Sequence, residues 1–181
     1  MKPVLPVLAL LACLAGAAAQ AAEATLVGCT PDNPYYKAYL GMTNEMFVPR
    51  NAEVAGKFYA DEFISHNQDA GGGGRNKVTL AMMKRLYEGS SKTYGERGFE
   101  NEMIICQGEF VIARTVLTSR MTGPLADQPA TNRVARISAI DIYKFNAQAK
   151  VIERWGDADN VGMLWQLGLK LPPPPPGYKL Q

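Results

Sequence analysis

The chain is poor in histidine and cysteine, the side chains that most often bind zinc. It contains one histidine, His66, and three cysteines among 181 residues. A single histidine leaves no pattern of cysteines and histidines at metal-binding spacing. The four glycines at 71–74 are not followed by Lys-Ser or Lys-Thr, so they lack the signature of a phosphate-binding loop. We predict that they form a flexible loop at the rim of a cavity.

The chain also lacks an excess of charge of either sign. It has 19 lysine and arginine residues against 17 aspartate and glutamate residues. Proteins that bind nucleic acids or anionic membranes present a clearly basic surface. The near balance therefore argues against nucleic acid as a partner and leaves a hydrophobic small molecule as the expected ligand.

The first 22 residues are almost entirely apolar. Lys2 precedes an alanine- and leucine-rich run to Ala19, and small residues follow it. This order is typical of a secretory signal peptide, and no basic residues follow the run to retain it as an anchor. We predict a cleaved signal peptide over 1–22 and a periplasmic or secreted protein with no stable membrane span. Lipid attachment at Cys13 is an alternative, although the apolar segment before it is short.

Cleavage would remove Cys13 and leave Cys29 and Cys106 in an oxidising compartment. A disulfide between them is permitted there. Cys106 also follows the apolar run Met103–Ile105, where a free thiol would behave as a small core residue. The sequence leaves both states open.

Apolar periodicity predicts helices in the first half of the chain and strands in the second. The predicted helices are Pro34–Met46, Ala52–Tyr59 and Val78–Leu86, and the predicted strands are Met103–Cys106, Phe110–Met121, Arg133–Phe145 and Val151–Trp155. A closing helix begins at about Asn160. Helices that precede a run of antiparallel strands indicate an α+β fold. We expect one domain over 30–170 and a stiff proline-rich tail over 171–181.

Two segments resemble a known family. Tyr59–Asn67 contains an acidic-Phe pair that leads to His-Asn, and Asp141–Gly168 resembles the C-terminal signature of SnoaL-like polyketide cyclases, in the nuclear-transport-factor-2-like superfamily. The resemblance extends from Tyr35 through Gly168. It implies a cone-shaped, curved antiparallel sheet wrapped over three N-terminal helices, a short closing C-terminal helix and an internal pocket. It also implies a homodimer, since dimerisation across the open sheet face is common in this superfamily.

The resemblance implies catalytic roles for Asp159 and His66. In the cyclases an aspartate matching Asp159 acts as general acid and base beside a carbonyl, without a metal or organic cofactor. Trp155, Met163 and Leu164 are expected to enclose this carboxylate and raise its pKa. Asp159 would otherwise be a helix cap. The family segment favours His66 as a second catalytic residue that donates a hydrogen bond to an enolate, although a lone histidine is often structural.

Four further residues are candidates for substrate binding: Asn67, Arg136, Tyr143 and Trp155. If the segment is extended, Asn67 and His66 point to opposite sides, so only one of them faces the pocket. Arg136 shares a strand face with Ile140 and Ile142, the face expected to wall the cavity, unless that face is turned outward. Tyr143 and Trp155 fit either the cavity wall or the core.

One departure from the family lies at Glu153-Arg154-Trp155, where many relatives read Glu-His-Trp. A second is the Asn146–Ala149 connection, which replaces a tight Asp-Gly turn. The missing histidine and the predicted export weaken the argument that this chain catalyses the cyclase reaction of the family.

From the resemblance and the leader together, the sequence predicts an exported protein with an apolar pocket. Its expected activity is cofactor-independent proton transfer, isomerisation or cyclisation of a carbonyl compound.

Two alternatives remain. One is a non-catalytic small-molecule-binding or accessory module of the same fold, because fold does not decide function. The other is epoxide hydrolysis, which would need an Asp-Arg-Asp set to activate water. That set would combine Asp141 or Asp159 with Arg114 or Arg136.

Overall fold

Seven strands form one curved, unclosed sheet that wraps around the N-terminal helices. The computed structural model describes residues 23–66 and 76–170. The strands are β1 (Thr25–Val27), β2 (Tyr59–Ser65), β3 (Asn76–Thr79), β4 (Tyr94–Gln107), β5 (Phe110–Met121), β6 (Val134–Phe145) and β7 (Val151–Ala158). The α-helices are α1 (Pro34–Met42), α2 (Ala55–Phe58), α3 (Leu80–Thr93) and α4 (Asn160–Leu167). The predicted α+β fold is confirmed. The predicted signal peptide, glycine loop and proline-rich tail lie outside the described residues.

The strands are ordered β1-β4-β5-β6-β7-β2-β3. The pairs formed by β4, β5, β6 and β7 are antiparallel, as is β2 with β3. The pairs β1–β4 and β2–β7 are parallel, so the sheet is mixed where the sequence suggested an antiparallel one. Each parallel pair joins strands separated by long stretches of chain that include helices, which is the length of connection parallel strands need.

Local capping explains where the helices begin. Asn33 accepts hydrogen bonds from the backbone of Tyr35 and Tyr36, and Pro34 occupies the first turn of α1. A π-helical segment, Thr43–Phe47, continues this helix, and a short 3-10 segment, Ala52–Val54, leads into α2. Thr79 caps α3 by accepting from Met82, so α3 begins later than predicted. Val78 instead belongs to β3, where it pairs with Phe63 of β2.

Strand β6 shows which face of the sheet the helices cover. Its odd-numbered residues from Ala135 to Phe145 are buried, whereas Ile140 remains 48% exposed. The buried face includes Asp141 and Tyr143, which point towards the helices. The expectation that Ile140 and Ile142 wall the cavity is therefore wrong, because alternation assigns them to the outer face.

A disulfide joins Cys29 to Cys106, with 4.9 Å between their α-carbons. Cys106 is buried among core residues of β4 and β5, and Cys29 packs against them from the segment after β1. The bridge decides between the two states that the sequence left open. It fastens the N-terminal segment to the end of β4, the strand next to the edge strand β1.

Helix α4 covers the edge of β6 beyond the end of β7. The side-chain amide of Gln166 accepts from the backbone N of Arg136 at 2.8 Å and donates to its backbone O at 3.1 Å. Leu167 is fully buried against Met121 and Ala135. The predicted closing helix is thus confirmed and satisfies an exposed strand edge. In the described part of the chain, no helix has the length and apolar character to cross a membrane.

Candidate functional site

A cavity of about 330 Å³ lies between the inner face of the sheet and the surrounding helices. Its lining is mainly apolar and aromatic. The sheet contributes Tyr59, Phe63, Phe99, Leu117 and Tyr143, and the helical side contributes Phe47, Val48, Met83, Leu86 and Tyr87. Such a concave, apolar space with a few polar groups is typical of a small-molecule site.

The charged pair Asp141 and Arg154 lies in this lining. Arg154 Nε and Nη2 both donate to Asp141 Oδ1, at 3.0 and 2.5 Å. The side chains are only 12% exposed for Asp141 and 26% exposed for Arg154. Ser65, which pairs with Arg154 across β2 and β7, also lines the cavity. These residues give an otherwise apolar cavity a polar, fixed wall.

Burial and charge together set the ionisation of the groups around this pair. Burial by itself lowers the pKa of Arg154, but the attraction of Asp141 and the neighbouring tyrosines outweighs it and raises the pKa above its usual value. Burial raises the pKa of both Tyr59 and Tyr143 well above 10.0. At neutral pH both hydroxyls are therefore protonated and able to donate a hydrogen bond to a ligand.

The cavity opens between exposed side chains. Val48 is 52% exposed and Leu86 is 65% exposed, although both line the cavity. Arg97 on β4 is a further exposed lining residue. The mouth is thus an apolar rim with one guanidinium.

Asp159 does not line the cavity. Its side chain is exposed, and Oδ1 accepts a hydrogen bond from the backbone N of Gly162 at 2.8 Å. Strand β7 ends at Ala158, and the chain turns directly into α4, so the carboxylate lies at a helix N-terminus. The expectation of an enclosed, desolvated Asp159 is wrong, and the capping alternative is what the structure shows. Its role in proton transfer stays a prediction.

His66 and Trp155 lie together on the outer face of the sheet. His66 Nε2 is 2.9 Å from Glu153 Oε1, and the His66 and Trp155 rings stack with centroids 4.8 Å apart. Their chain neighbours, Ser65 and Arg154, line the cavity, so alternation directs His66 and Trp155 to the opposite side. The structure therefore brings neither predicted residue into the cavity lining.

Of the remaining candidates that the structure describes, only Tyr143 lines the cavity. Arg136 is exposed and forms an ion pair with Glu100 at 3.3 Å, because its strand face is the outer one. Arg114 similarly pairs with Glu102. Asn67 lies outside the described residues.

The sets proposed for epoxide hydrolysis do not form. Asp141 pairs with Arg154, whereas Arg114 and Arg136 pair with Glu102 and Glu100. Sequence reasoning missed Arg154 as a cavity residue. The departure at Glu153-Arg154-Trp155 was a usable signal, since its middle residue must face opposite to its neighbours. In the described residues, no three His, Cys, Asp or Glu side chains are grouped as metal ligands.

The structure is similar to several solved structures of low sequence identity. A protein from Acidithiobacillus ferrooxidans assigned as a polyketide cyclase has a TM-score of 0.67 at 17% identity, over 77% of this chain and 98% of that one. A protein from Jannaschia assigned as a SnoaL-like polyketide cyclase has a TM-score of 0.66 at 14% identity, over 80% and 98% of the two chains. AclR from Streptomyces galilaeus, assigned as a hydroxylase, has a TM-score of 0.63 at 22% identity, over 78% and 85%.

No curated protein matches the chain in sequence. The model of the SnoaL-like polyketide cyclase family, however, matches residues 37–167, which form most of the chain. The match agrees with the curved sheet, the enclosed helices and the cavity between them. It supports a small-molecule function of the cyclase or isomerase type. The chain belongs to the SnoaL-like polyketide cyclase family of the nuclear-transport-factor-2-like superfamily.

Proposed function

We propose that this protein binds an apolar carbonyl compound in the cavity and catalyses its isomerisation or cyclisation by proton transfer, without a cofactor. One observation carries the proposal. A carboxylate with a fixed orientation, Asp141, lies in an apolar cavity beside Arg154 and two protonated tyrosines. Water-poor surroundings strengthen the interactions of such polar groups with a ligand.

We assign each of these groups a step in the proposed reaction. Both guanidinium nitrogens donate to Asp141 Oδ1, so the ion pair leaves Oδ2 without an arginine donor. Oδ2 would take a proton from the carbon next to the ligand carbonyl, and the electron pair of the broken C–H bond would form an enolate. Tyr59 or Tyr143 would donate a hydrogen bond to the enolate oxygen. In a ligand with a C=C bond next to that carbon, the enolate extends over this bond, and Asp141 would return the proton to the far carbon of the C=C bond, which gives an isomer.

The test compares Asp141→Asn with Asp159→Asn. Both substitutions keep the side-chain shape and remove the base. Exchange of the hydrogen next to the carbonyl for deuterium, followed by NMR on a panel of cyclic and aromatic ketones, measures proton transfer before any product is known. We expect Asp141→Asn to lower the exchange rate by about 2–4 orders of magnitude, the usual contribution of general acid–base catalysis, and Asp159→Asn to leave it unchanged.

The reverse result would establish the family-based assignment of Asp159 instead. Thermal unfolding of both variants is the control, because a misfolded protein would lose exchange for a trivial reason. His66→Gln belongs in the same series. An effect comparable with that of Asp141→Asn would return His66 to the catalytic group despite its place on the outer face.

Binding without catalysis is the second candidate function. It is favoured by the position of Asp159 at a helix cap and by the neutralisation of Asp141 by Arg154. A ketone that binds in the cavity while its exchange rate matches that of buffer would establish this candidate. Saturation-transfer NMR on the same samples reports that binding.

We propose in addition that the protein is exported. The charge and apolar pattern of 1–22 supports export, as does the Cys29–Cys106 disulfide, because such bridges persist in oxidising compartments. Mass spectrometry of the mature protein should give a first residue between Gln20 and Glu23. An intact Met1 would contradict export, and a lipid on Cys13 would establish a lipoprotein.

A homodimer across the outer sheet face is also proposed. Exposed apolar side chains on that face, including Ile140 and Met103, support it. Analytical ultracentrifugation of the wild type and of Ile140→Lys tests it. We expect the wild type to be a dimer and Ile140→Lys to be a monomer. A monomeric wild type would contradict the proposal.

A further inference from the structure

We infer that the cavity ligand is an apolar compound carrying one acidic group, and that Arg97 binds this group at the mouth. The inference rests on the proposed function, since it assumes that the cavity holds a ligand. It adds the chemical class of that ligand and a residue that selects it. Three observations about charge lead to it.

The first observation is that the glutamates of β4, the strand that carries Arg97, all form ion pairs outside the cavity. Arg120 pairs with Glu96 at 2.9 Å, Arg136 pairs with Glu100 at 3.3 Å, and Arg114 pairs with Glu102. None of these six side chains belongs to the cavity lining. The acids nearest to Arg97 in the strand are therefore already engaged.

The second observation concerns the surroundings of Arg97 itself. In residues 23–66 and 76–170, its guanidinium forms no ion pair, and its central carbon lies 6.0 Å from the centroid of the Tyr94 ring. Arg50 lies close enough that its pKa is lowered first by burial and then by the charge of Arg97. The surroundings of Arg97 thus add positive charge rather than cancel it.

The third observation is the charge balance of the cavity. The charged lining residues described are Arg97, Arg154 and Asp141. Arg154 and Asp141 neutralise one another, so Arg97 leaves an excess of one positive charge. Apolar side chains such as Phe99 and Leu117 line the cavity between the charged groups. A ligand of complementary charge would have an apolar body and an acid at its outer end, where a guanidinium can bind it through two parallel hydrogen bonds.

Two fluorescent probes that differ in one group test the inference on the protein as it is after export. They are 1-anilinonaphthalene-8-sulfonate and its neutral counterpart N-phenyl-1-naphthylamine, which lacks the sulfonate. We expect the wild type to bind the sulfonate at least several-fold more tightly. Arg97→Gln should weaken sulfonate binding by about 5- to 10-fold, the usual effect of losing one charge-assisted contact at a partly exposed site, and should change binding of the neutral probe less than about twofold.

Arg114→Gln is the matched control, because it removes an exposed arginine from the outer face. It should leave both affinities unchanged, and a loss of sulfonate binding in this variant would show that the probe binds outside the cavity and overturn the inference. Salt provides a second readout, since screening should weaken sulfonate binding to the wild type and have much less effect on Arg97→Gln.

The remaining outcomes separate this inference from the proposed function. If the neutral probe binds and the sulfonate binds no better, or if Arg97→Gln weakens both probes equally, the role of Arg97 is wrong while the ligand cavity stands. If neither probe binds the folded wild type, the proposed ligand cavity and this inference both fail.

Discussion

Arg154 donates two hydrogen bonds to one oxygen of Asp141, and the two side chains share the cavity side of adjacent strands. The guanidinium also lies 5.9 Å from the centroid of the Tyr143 ring. The pair is mostly shielded from water, so each charge depends on the other for compensation. The same arrangement that gives the cavity its polar wall is therefore a stability determinant.

A double-mutant cycle on this pair should reveal strong coupling. We expect Asp141→Asn and Arg154→Met each to lower the free energy of unfolding by about 2–3 kcal/mol. This is less than for a fully buried pair, because water partly reaches the arginine. The double variant should lose clearly less than the sum of the single losses, since neither charge is then left alone. Urea unfolding measures all four proteins, and additive losses would contradict the coupling.

Loss of the Cys29–Cys106 bridge should destabilise the protein without preventing folding. The cysteines are 77 residues apart, and closing a loop of that length stabilises the folded state by about 4.5 kcal/mol in the chain-entropy description. The large remaining core should still fold. The measurement is urea unfolding of the wild type with and without reductant. The Cys29→Ala/Cys106→Ala variant is the control, because reductant should not change its midpoint, and an unchanged wild-type midpoint would argue against the bridge.

Two glycine-to-alanine substitutions should have opposite effects. A β-carbon on Gly123 would lie within van der Waals overlap of the backbone oxygen of Lys92, whereas one on Gly89 in α3 would meet no heavy atom within 4 Å. We expect Gly123→Ala to lower the free energy of unfolding by about 1–3 kcal/mol through overpacking. Gly89→Ala should raise it by about 1 kcal/mol through helix propensity. Thermal melts in parallel provide the comparison, and effects of the same sign would contradict this packing.

Stability should fall in alkaline solution because several tyrosines are buried. Burial raises the pKa of Tyr39, Tyr59, Tyr87 and Tyr143 above the ordinary value of 10.0. The unfolded chain therefore loses these protons first, so the stabilisation is complete below pH 10 and declines as pH rises towards the folded-state pKa values. Each such tyrosine contributes about 1.4 kcal/mol per pH unit to the decline.

Tyr143→Phe isolates one of these contributions. Urea unfolding between pH 9 and pH 11.5 gives the free energy of unfolding of this variant. This free energy should fall less steeply with pH than that of the wild type, because the variant lacks the contribution of one tyrosine to the slope. Its stability at pH 7 serves as the baseline for packing changes. Parallel slopes for the two proteins would mean that Tyr143 titrates equally in the folded and unfolded states.

Local sequence was sufficient for much of the architecture. Asn33-Pro34 marked the start of α1, and the run before Phe145 indicated a strand, because capping and alternation depend on residues close together in the chain. The helices before the long strands and the closing helix were predicted in this way, whereas the family was predicted from the resemblance of two segments. The two parallel strand pairs were not, since strand direction in the sheet depends on partners distant in sequence.

The candidate site was predicted only in part. Tyr143 lies in the cavity as expected, whereas His66, Trp155 and Arg136 were placed on the wrong side of the sheet. Alternation shows which residues share a face, but it does not say which face the helices cover when both carry apolar side chains. If the other face of β7 is taken as the covered one, Trp155 is predicted to face the cavity in place of Arg154.

By itself the sequence determined the family, the α+β class and the succession from β4 to the closing helix, because short motifs, local periodicity and caps encode these features. Strands β1, β2 and β3 were not predicted. The tertiary structure alone decided that Cys29 bonds to Cys106, that Asp159 caps a helix, and that Asp141 meets Arg154 within the cavity. The physical reason is that a disulfide, an ion pair and burial from water each depend on the distance between groups that only the curvature and register of the sheet bring together.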